Sequence, residues 1–258
     1  MAEAKTEVKS KTDFQFPTEV IDLPTRGICY GKDSPLNAGK LEIKYMTAKE
    51  EDILTSQNLI KKGVVIDKLM DSLIVTPGVS SSDLTIGDKN AVMVAARILA
   101  YGADYTCEVV NPTNQEKLQH TFNLAECEFT EPKEGLDYST GEFDLELPIS
   151  KVNIKWKLLT GADEKIIDQE IKGLKKIGQV AEITTRLKRL ITSVNAETSH
   201  GVISNFVDNM LSRDSLFLRD YVKECSPDID LTQEIEIEGE TVKVNIPMTV
   251  NFFWPNSQ

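Results

Sequence analysis

The chain has 258 residues, and its 29 basic and 41 acidic side chains leave a formal net charge of -12 at neutral pH. That excess of carboxylates excludes a general nucleic-acid binder, whose affinity rests on cationic side chains displacing counterions from phosphates. Hydrophobic (40%) and charged (27%) contents are ordinary for a soluble folded protein, and a chain of this length buries about 70% of its unfolded surface, enough for real cores without disulfides. The longest apolar stretch, residues 91–100, is interrupted by Arg97 and falls far short of the roughly 20 residues that span a bilayer. The polar opening MAEAKTEVKSKTD lacks the apolar region of a secretory signal, so a cytoplasmic site of synthesis is expected. Cys29, Cys107, Cys127 and Cys225 form no CxxC pair and read as reduced thiols, with no metal site and no cofactor expected.

Residues 1–13 read as a disordered tail, because their few apolar side chains follow no period. An irregular arm rich in Pro and Gly follows from Phe14, then a strand in which Leu41, Ile43 and Tyr45 alternate with Glu42 and Lys44. Thr47 and Glu50 spell a capping box, which predicts a helix running towards Gly63 with Glu50, Glu51 and Asp52 in its first turn. A second helix is predicted over 64–75, stopped by Thr76, Pro77 and Gly78. A third is predicted with Asp88 as its cap and Tyr101-Gly102 as its end, and its Arg97 could pair with an acidic residue of the same fold.

From 103 to 159 short alternating stretches divided by Pro, Gly and Asn predict a β-rich insert lobe, in which positions 116–146 hold nine acidic residues against two lysines. Thr160 and Asp163 then give another capping box, and Ile167, Ile171, Leu174, Ile177, Ala181, Leu187, Ile191 and Val194 step along one long helix that Gly173 and Gly178 weaken. Positions 165–189 carry seven cations against three anions. This stretch is either a core helix with a solvated basic face, a partner-binding helix, or a helix docked on the acidic insert of the same chain. Two shorter helices, about 202–211 and 215–225, precede a C-terminal hairpin turning at Glu238, Gly239 and Glu240, with Glu234, Glu236 and Glu238 on its wet face. The expected architecture is α+β: a mostly helical body made of 14–102 and 160–258, a ribbon-like β-rich insert at 103–159, and the hairpin.

Catalytic patterns are missing. His120 and His200 lie 80 positions apart with no partner motif, and the glycines form neither GxGxxG nor GxxxxGK[ST], so no catalytic residue is assigned.

The blocks LPTRGICYGKDSPLNAGKLEIKYMTAKEEDILTS (23–56), LTIGDKNAVMVAARILAYGADY (84–105), LLTGADEK (158–165), SRDSLFLRDYVKECSPDIDL (212–231) and IPMTVNFFWP (246–255) resemble the T-even-type phage baseplate hub family. Relatives of this kind can carry a CPxC knuckle after the third helix. Here Asn111, Pro112, Thr113 and Asn114 stand in its place, and an asparagine amide cannot replace a zinc thiolate, so a ribbon without its metal is expected. Cys107 and Cys127 would be possible ligands only if the hairpin brought them together.

The resemblance implies a non-enzymatic protein of contractile-tail morphogenesis that assembles the baseplate hub by stoichiometric protein binding, as hub component or assembly factor. A chaperone for the tape-measure protein, absent from the virion, is the first alternative and a tail-associated cell-wall hydrolase the second. Expected partners are other hub or tape-measure proteins, with no nucleic acid and no membrane. The expected location is the host cytoplasm during assembly, and the tail baseplate if the chain is a hub subunit. Candidate partner contacts are Arg26 and Tyr30 in the arm and Phe252, Phe253 and Trp254 at the aromatic end, which has a second explanation as a core plug or sheet edge.

Overall fold

The computed structural model of the chain describes residues 16–111, 117–237, 240–248 and 250–253. The tail at 1–13, most of the substituted knuckle at 112–114, the turn residues Glu238 and Gly239, and Trp254 lie outside the described residues.

Strand β1 (Thr18–Asp22) pairs antiparallel with β2 (Lys40–Lys44), and the arm folds between them. Gly27 and Gly39 hold positive φ where the two limbs of the arm touch: a Cβ on Gly27 would lie 2.3 Å from the Asn37 carbonyl oxygen. Helix α1 (Ala48–Thr55) starts at the expected box, with Glu50 accepting the Thr47 N–H at 2.9 Å. The expected run to Gly63 is broken at Ser56, whose extended backbone separates α1 from α2 (Gln57–Lys62). Next come α3 (Val65–Leu73) and α4 (Ile86–Tyr101). The cap of α4 is Thr85, not Asp88 as the sequence suggested; Asp88 sits in the first turn and turns its carboxylate inward.

The chain then forms β3 (Asp104–Val110) and β4 (Lys117–Asn123), an antiparallel ribbon that buries Tyr105 and Phe122 opposite each other and bonds the Thr106 and Thr121 hydroxyls on its wet face. It continues through β5 (Phe129–Thr130), β6 (Phe143–Glu146), β7 (Asn153–Trp156), α5 (Gly161–Lys176), α6 (Glu182–Leu190), β8 (Ile191–Val194), α7 (His200–Asp208) and α8 (Ser212–Cys225). The last elements are β9 (Asp228–Ile229), paired with β5, and the expected hairpin of β10 (Thr232–Ile237) and β11 (Glu240–Asn245), with Glu234 and Glu236 exposed. The class is α+β, with eight α-helices and several small antiparallel sheets among the described residues.

Two hydrophobic cores divide these elements differently from the expected insert at 103–159. The first core gathers the arm, α1 to α4, the β3–β4 ribbon, the β10–β11 hairpin and the aromatic end. The second takes Phe143, Ile154 and Trp156 from β6 and β7, then Leu187, Ile203 and Leu218 from α6, α7 and α8. The reason lies in strand pairing. β7 pairs with β8, about 40 residues on, so 138–156 joins the helices that follow it, while 105–124 packs on α4. The inserted lobe therefore spans about 138–225, and α6 to α8 pack there rather than on 14–102.

The single long helix expected after Thr160 is three elements. α5 opens with the Thr160–Asp163 box but stops at Ile177, Gly178 adopts a φ of 77°, and residues 191–194 extend into β8. Near-contact of backbones joins the lobes: Gly161 N–H donates to the Leu84 carbonyl at 2.8 Å, and Ile86 N–H to that of Leu159 at 3.1 Å. A Cβ on Gly87 would stand 1.9 Å from the Pro227 carbonyl oxygen, and one on Gly161 2.2 Å from that of Ser81, so only glycine permits this seam.

Candidate functional site: an apolar groove on the second lobe

The residues expected to touch partners are scattered by the fold. Arg26 is exposed, at a φ of 51°, and its guanidinium pairs with Glu131. Tyr30 points inward: its hydroxyl donates to Asp88 and accepts the Thr85 N–H at 3.0 Å. Asp88 also accepts the Thr25 N–H (3.0 Å) and hydroxyl (2.7 Å), so the arm is latched to the start of α4 by a buried carboxylate. Burial raises the Asp88 carboxyl against these donors, and burial together with the nearby Asp88 charge pushes the Cys29 thiol up to about 12. A thiol held that high is protonated at neutral pH and is a poor nucleophile.

Phe252 and Phe253 are fully buried and pack edge-to-face at 5.3 Å, which makes them core residues and removes them as a docking surface. Arg97 meets no carboxylate among the described residues. It donates to three carbonyl oxygens, those of Phe252 (2.9 Å), Gly102 (3.1 Å) and Asp104 (3.3 Å), and its guanidinium lies over the rings of Tyr101 and Tyr105. It thereby ties the C-terminal turn to the end of α4.

A surface of different character lies between α6 and α8. There the chain leaves a groove of about 600 Å³, walled mainly by Val180, Ile183, Leu187, Leu190, Leu159 and Val222. Its origin is the break at Gly178. The apolar stripe that would have stayed on one straight helix is turned, so that Leu187 and Leu190 reach the core while Ile177 (69% exposed), Val180 (88%) and Ile183 (50%) stand in solvent. Single exposed apolar side chains are ordinary, but three in seven residues beside an apolar hollow form a patch of the kind that marks an interaction surface.

Ion pairs hold the frame of the groove. Arg186 clasps Glu164 through two bonds of 2.6 and 3.1 Å, fixing α6 to α5. Asp163 receives Lys157 and Arg189; burial raises its carboxyl, and those donors outweigh burial and hold it low. Of the cations at 165–189, Lys165 reaches Ser82 and Asp67, and Lys188 reaches Asp208. Among the described residues none of these pairs falls in the acidic stretch 116–146: where α6 packs on the expected insert it does so through the apolar core that Leu187 and Leu190 share with Phe143 and Trp156, not by charge pairing. Lys175, Lys176 and Arg219 form no ion pair among the described residues; Arg219 lines the groove together with Glu182, and the two lysines end α5 just before Ile177.

A second hollow of about 440 Å³ continues from the groove along the seam between the lobes, sharing Leu159, Arg186, Leu190 and Val222. Its polar wall holds Asp228, whose carboxylate accepts the Asn90 amide at 3.1 and 3.2 Å and is raised by burial. Elsewhere, His120 lies edge-on to Phe122 at 4.7 Å, and Cys127 is 3.6 Å from the Gln233 amide. Among the described residues no group of three or more His, Cys, Asp or Glu side chains is placed to hold a metal ion, and no helix is long and apolar enough to cross a membrane.

No protein family, curated protein or solved structure matches this chain. The groove was half-visible in the sequence. Partner binding is one reading of the basic stretch 165–189, but the helical stripe that the sequence implies runs through Ile177 and Ala181 and leaves out Val180 and Ile183. Gly178, followed by Gln179 and Val180, was the available signal for an exposed elbow.

Proposed function

We propose that the chain is a non-enzymatic protein of phage contractile-tail morphogenesis that takes part in baseplate hub assembly by stoichiometric protein binding. The observation that carries this reading is the groove between α6 and α8, an open apolar surface with an adjoining exposed patch, suited to receiving side chains of another protein rather than a small polar substrate. The sequence blocks that resemble the baseplate hub family supply the biological setting. Their physical roles in this fold are architectural: the arm latch at Asp88, the seam at Gly87 and Gly161, and the aromatic plug at Phe252. On this reading the protein works in the cytoplasm of the infected host, with hub or tape-measure proteins as partners.

Quantitative mass spectrometry of purified virions and of infected cells tests it. A fixed copy number in particles identifies a hub subunit. Abundance in cells together with absence from particles, in complex with hub or tape-measure proteins, identifies an assembly factor. A chain bound to neither class of protein, or one that clears a peptidoglycan suspension, would end the proposal.

A further inference from the structure

We propose that the occupant of the groove is a second copy of this chain, inserting Phe129 and its flanking carboxylates. This rests on the reading of the groove as a protein-binding surface and names its partner. The argument is complementarity between two surfaces of one molecule. On one side Val180 and Ile183 line an apolar hollow that has Arg219 and Glu182 in its wall, the exposed Ile177 and the end of α5 with Lys175 and Lys176 precede them in the chain, and Lys175, Lys176 and Arg219 have no ion-pair partner among the described residues. On the other side stands Phe129, 39% exposed, in a stretch that presents Glu126, Glu128, Glu131 and Glu134 to solvent.

The second surface is built to reach outward. β5 is two residues long and pairs only with β9 among the described strands, so its other edge is open. Of the four carboxylates, Glu131 alone has a charged partner among the described residues, Arg26, and that pair is exposed and weak. An aromatic ring framed by carboxylates suits an apolar groove that has the unpaired Arg219 in its wall and Lys175 and Lys176 in the turn before it. Within one chain the paired cations of 165–189 find Asp67, Asp163, Glu164 and Asp208 rather than the carboxylates of 126–134, and Lys133, inside the acidic stretch, pairs with Glu224 of α8. Contact between copies is then heterologous, one surface of each chain facing the other surface of its neighbour. The net charge of -12 opposes any association, but at physiological ionic strength it is screened beyond about 8 Å while groups in contact are not.

Sedimentation velocity of the full chain at physiological ionic strength, in a dilution series up to about 100 μM, tests this in the affinity range of small interfaces. The wild type is expected to associate reversibly. Val180→Asp, at a position almost fully exposed in the single chain, should keep its circular dichroism spectrum and weaken association at least about tenfold. The double variants Lys175→Glu/Lys176→Glu and Glu128→Lys/Glu134→Lys should each be monomeric alone. Their equimolar mixture should associate again, because each contributes the intact surface that the other lacks. A wild type that is monomeric throughout, an unaffected Val180→Asp variant, or a mixture that stays monomeric overturns the proposal. A monomeric protein that still enters hub complexes overturns self-association alone, whereas an associating protein found with no tail protein upholds it and overturns the hub reading.

Discussion

Replacing Glu50 by glutamine gives a sharp test of how the first lobe is held. The Glu50 side chain is completely buried, with Lys44 at 2.8 Å and the Ser72 hydroxyl at 2.6 Å on one oxygen, and the Thr47 N–H at 2.9 Å and hydroxyl at 2.6 Å on the other. Burial alone would raise the carboxyl. The four donors outweigh it and bring the group from an ordinary 4.5 down to about 2. A carboxylate held below its unfolded value stabilises the fold at pH values above that unfolded value and loses its contribution as pH falls through the folded one. At about 1.4 kcal/mol per pH unit, the contribution is about 3 kcal/mol at neutral pH. Glutamine cannot accept on both ends, so either Lys44 and Ser72 or the Thr47 groups would face an NH₂ donor.

The measurement is urea unfolding of wild type and Glu50→Gln, followed by circular dichroism, from pH 7 to pH 2.5. The variant should be weaker by about 3 kcal/mol at pH 7, and the gap should narrow as pH falls from about 4.5 towards 2. Other perturbed carboxylates, such as Asp163 and Asp214, held low, and Asp88, raised, act on both proteins and cancel in the difference. A gap that does not change with pH, or one below about 1 kcal/mol at pH 7, would refute the assignment of Glu50 as an ionised hub of β2, α1 and α3.

Three further outcomes are expected. Tyr30→Phe removes one donor from buried Asp88 and the acceptor of the Thr85 N–H, so denaturant unfolding should show a loss of about 1–3 kcal/mol, with no change in self-association. Phe252→Ala should cost about 3–5 kcal/mol in thermal or urea unfolding, because the ring is buried against Tyr105 and Phe253; a change near zero would restore the reading of this end as a docking contact. Gly87→Ala places a methyl 1.9 Å from the Pro227 carbonyl, and the overpacking should cost at least about 1–3 kcal/mol and speed proteolysis of residues 227–230.

The division into two cores bears on the proposed role. The first lobe draws on both ends of the described chain, and the second is the inserted stretch that carries the groove. An inserted lobe whose seam rests on backbone contacts at Gly87 and Gly161 gives the groove a fixed mount, and the Arg186–Glu164 clasp ties its α6 wall to α5. Surface placed on such a mount binds with less ordering cost than a flexible loop.

Local features were readable along the chain because each depends on neighbours within one turn. The Thr47–Glu50 and Thr160–Asp163 boxes, the stops at Gly63 and Gly102, and the β10–β11 hairpin all stand where residue type and spacing put them. Partner choice was not readable, because a strand's pattern tells which face is buried but not against what. β7 takes β8 and β5 takes β9 across long separations, and that decided where one core ends and the other begins. Asp88 shows the same limit on a single residue. Its place near a helix start was plain, but only the folded arm, bringing Thr25 and Tyr30 to it, made it a buried latch. The apolar stripe from Ile167 to Leu190 was likewise plain in the sequence. That Gly178 would bend it, sending Leu187 inward and leaving Val180 in water, was settled by the packing of α6 against β8 and α7, which the sequence alone does not contain.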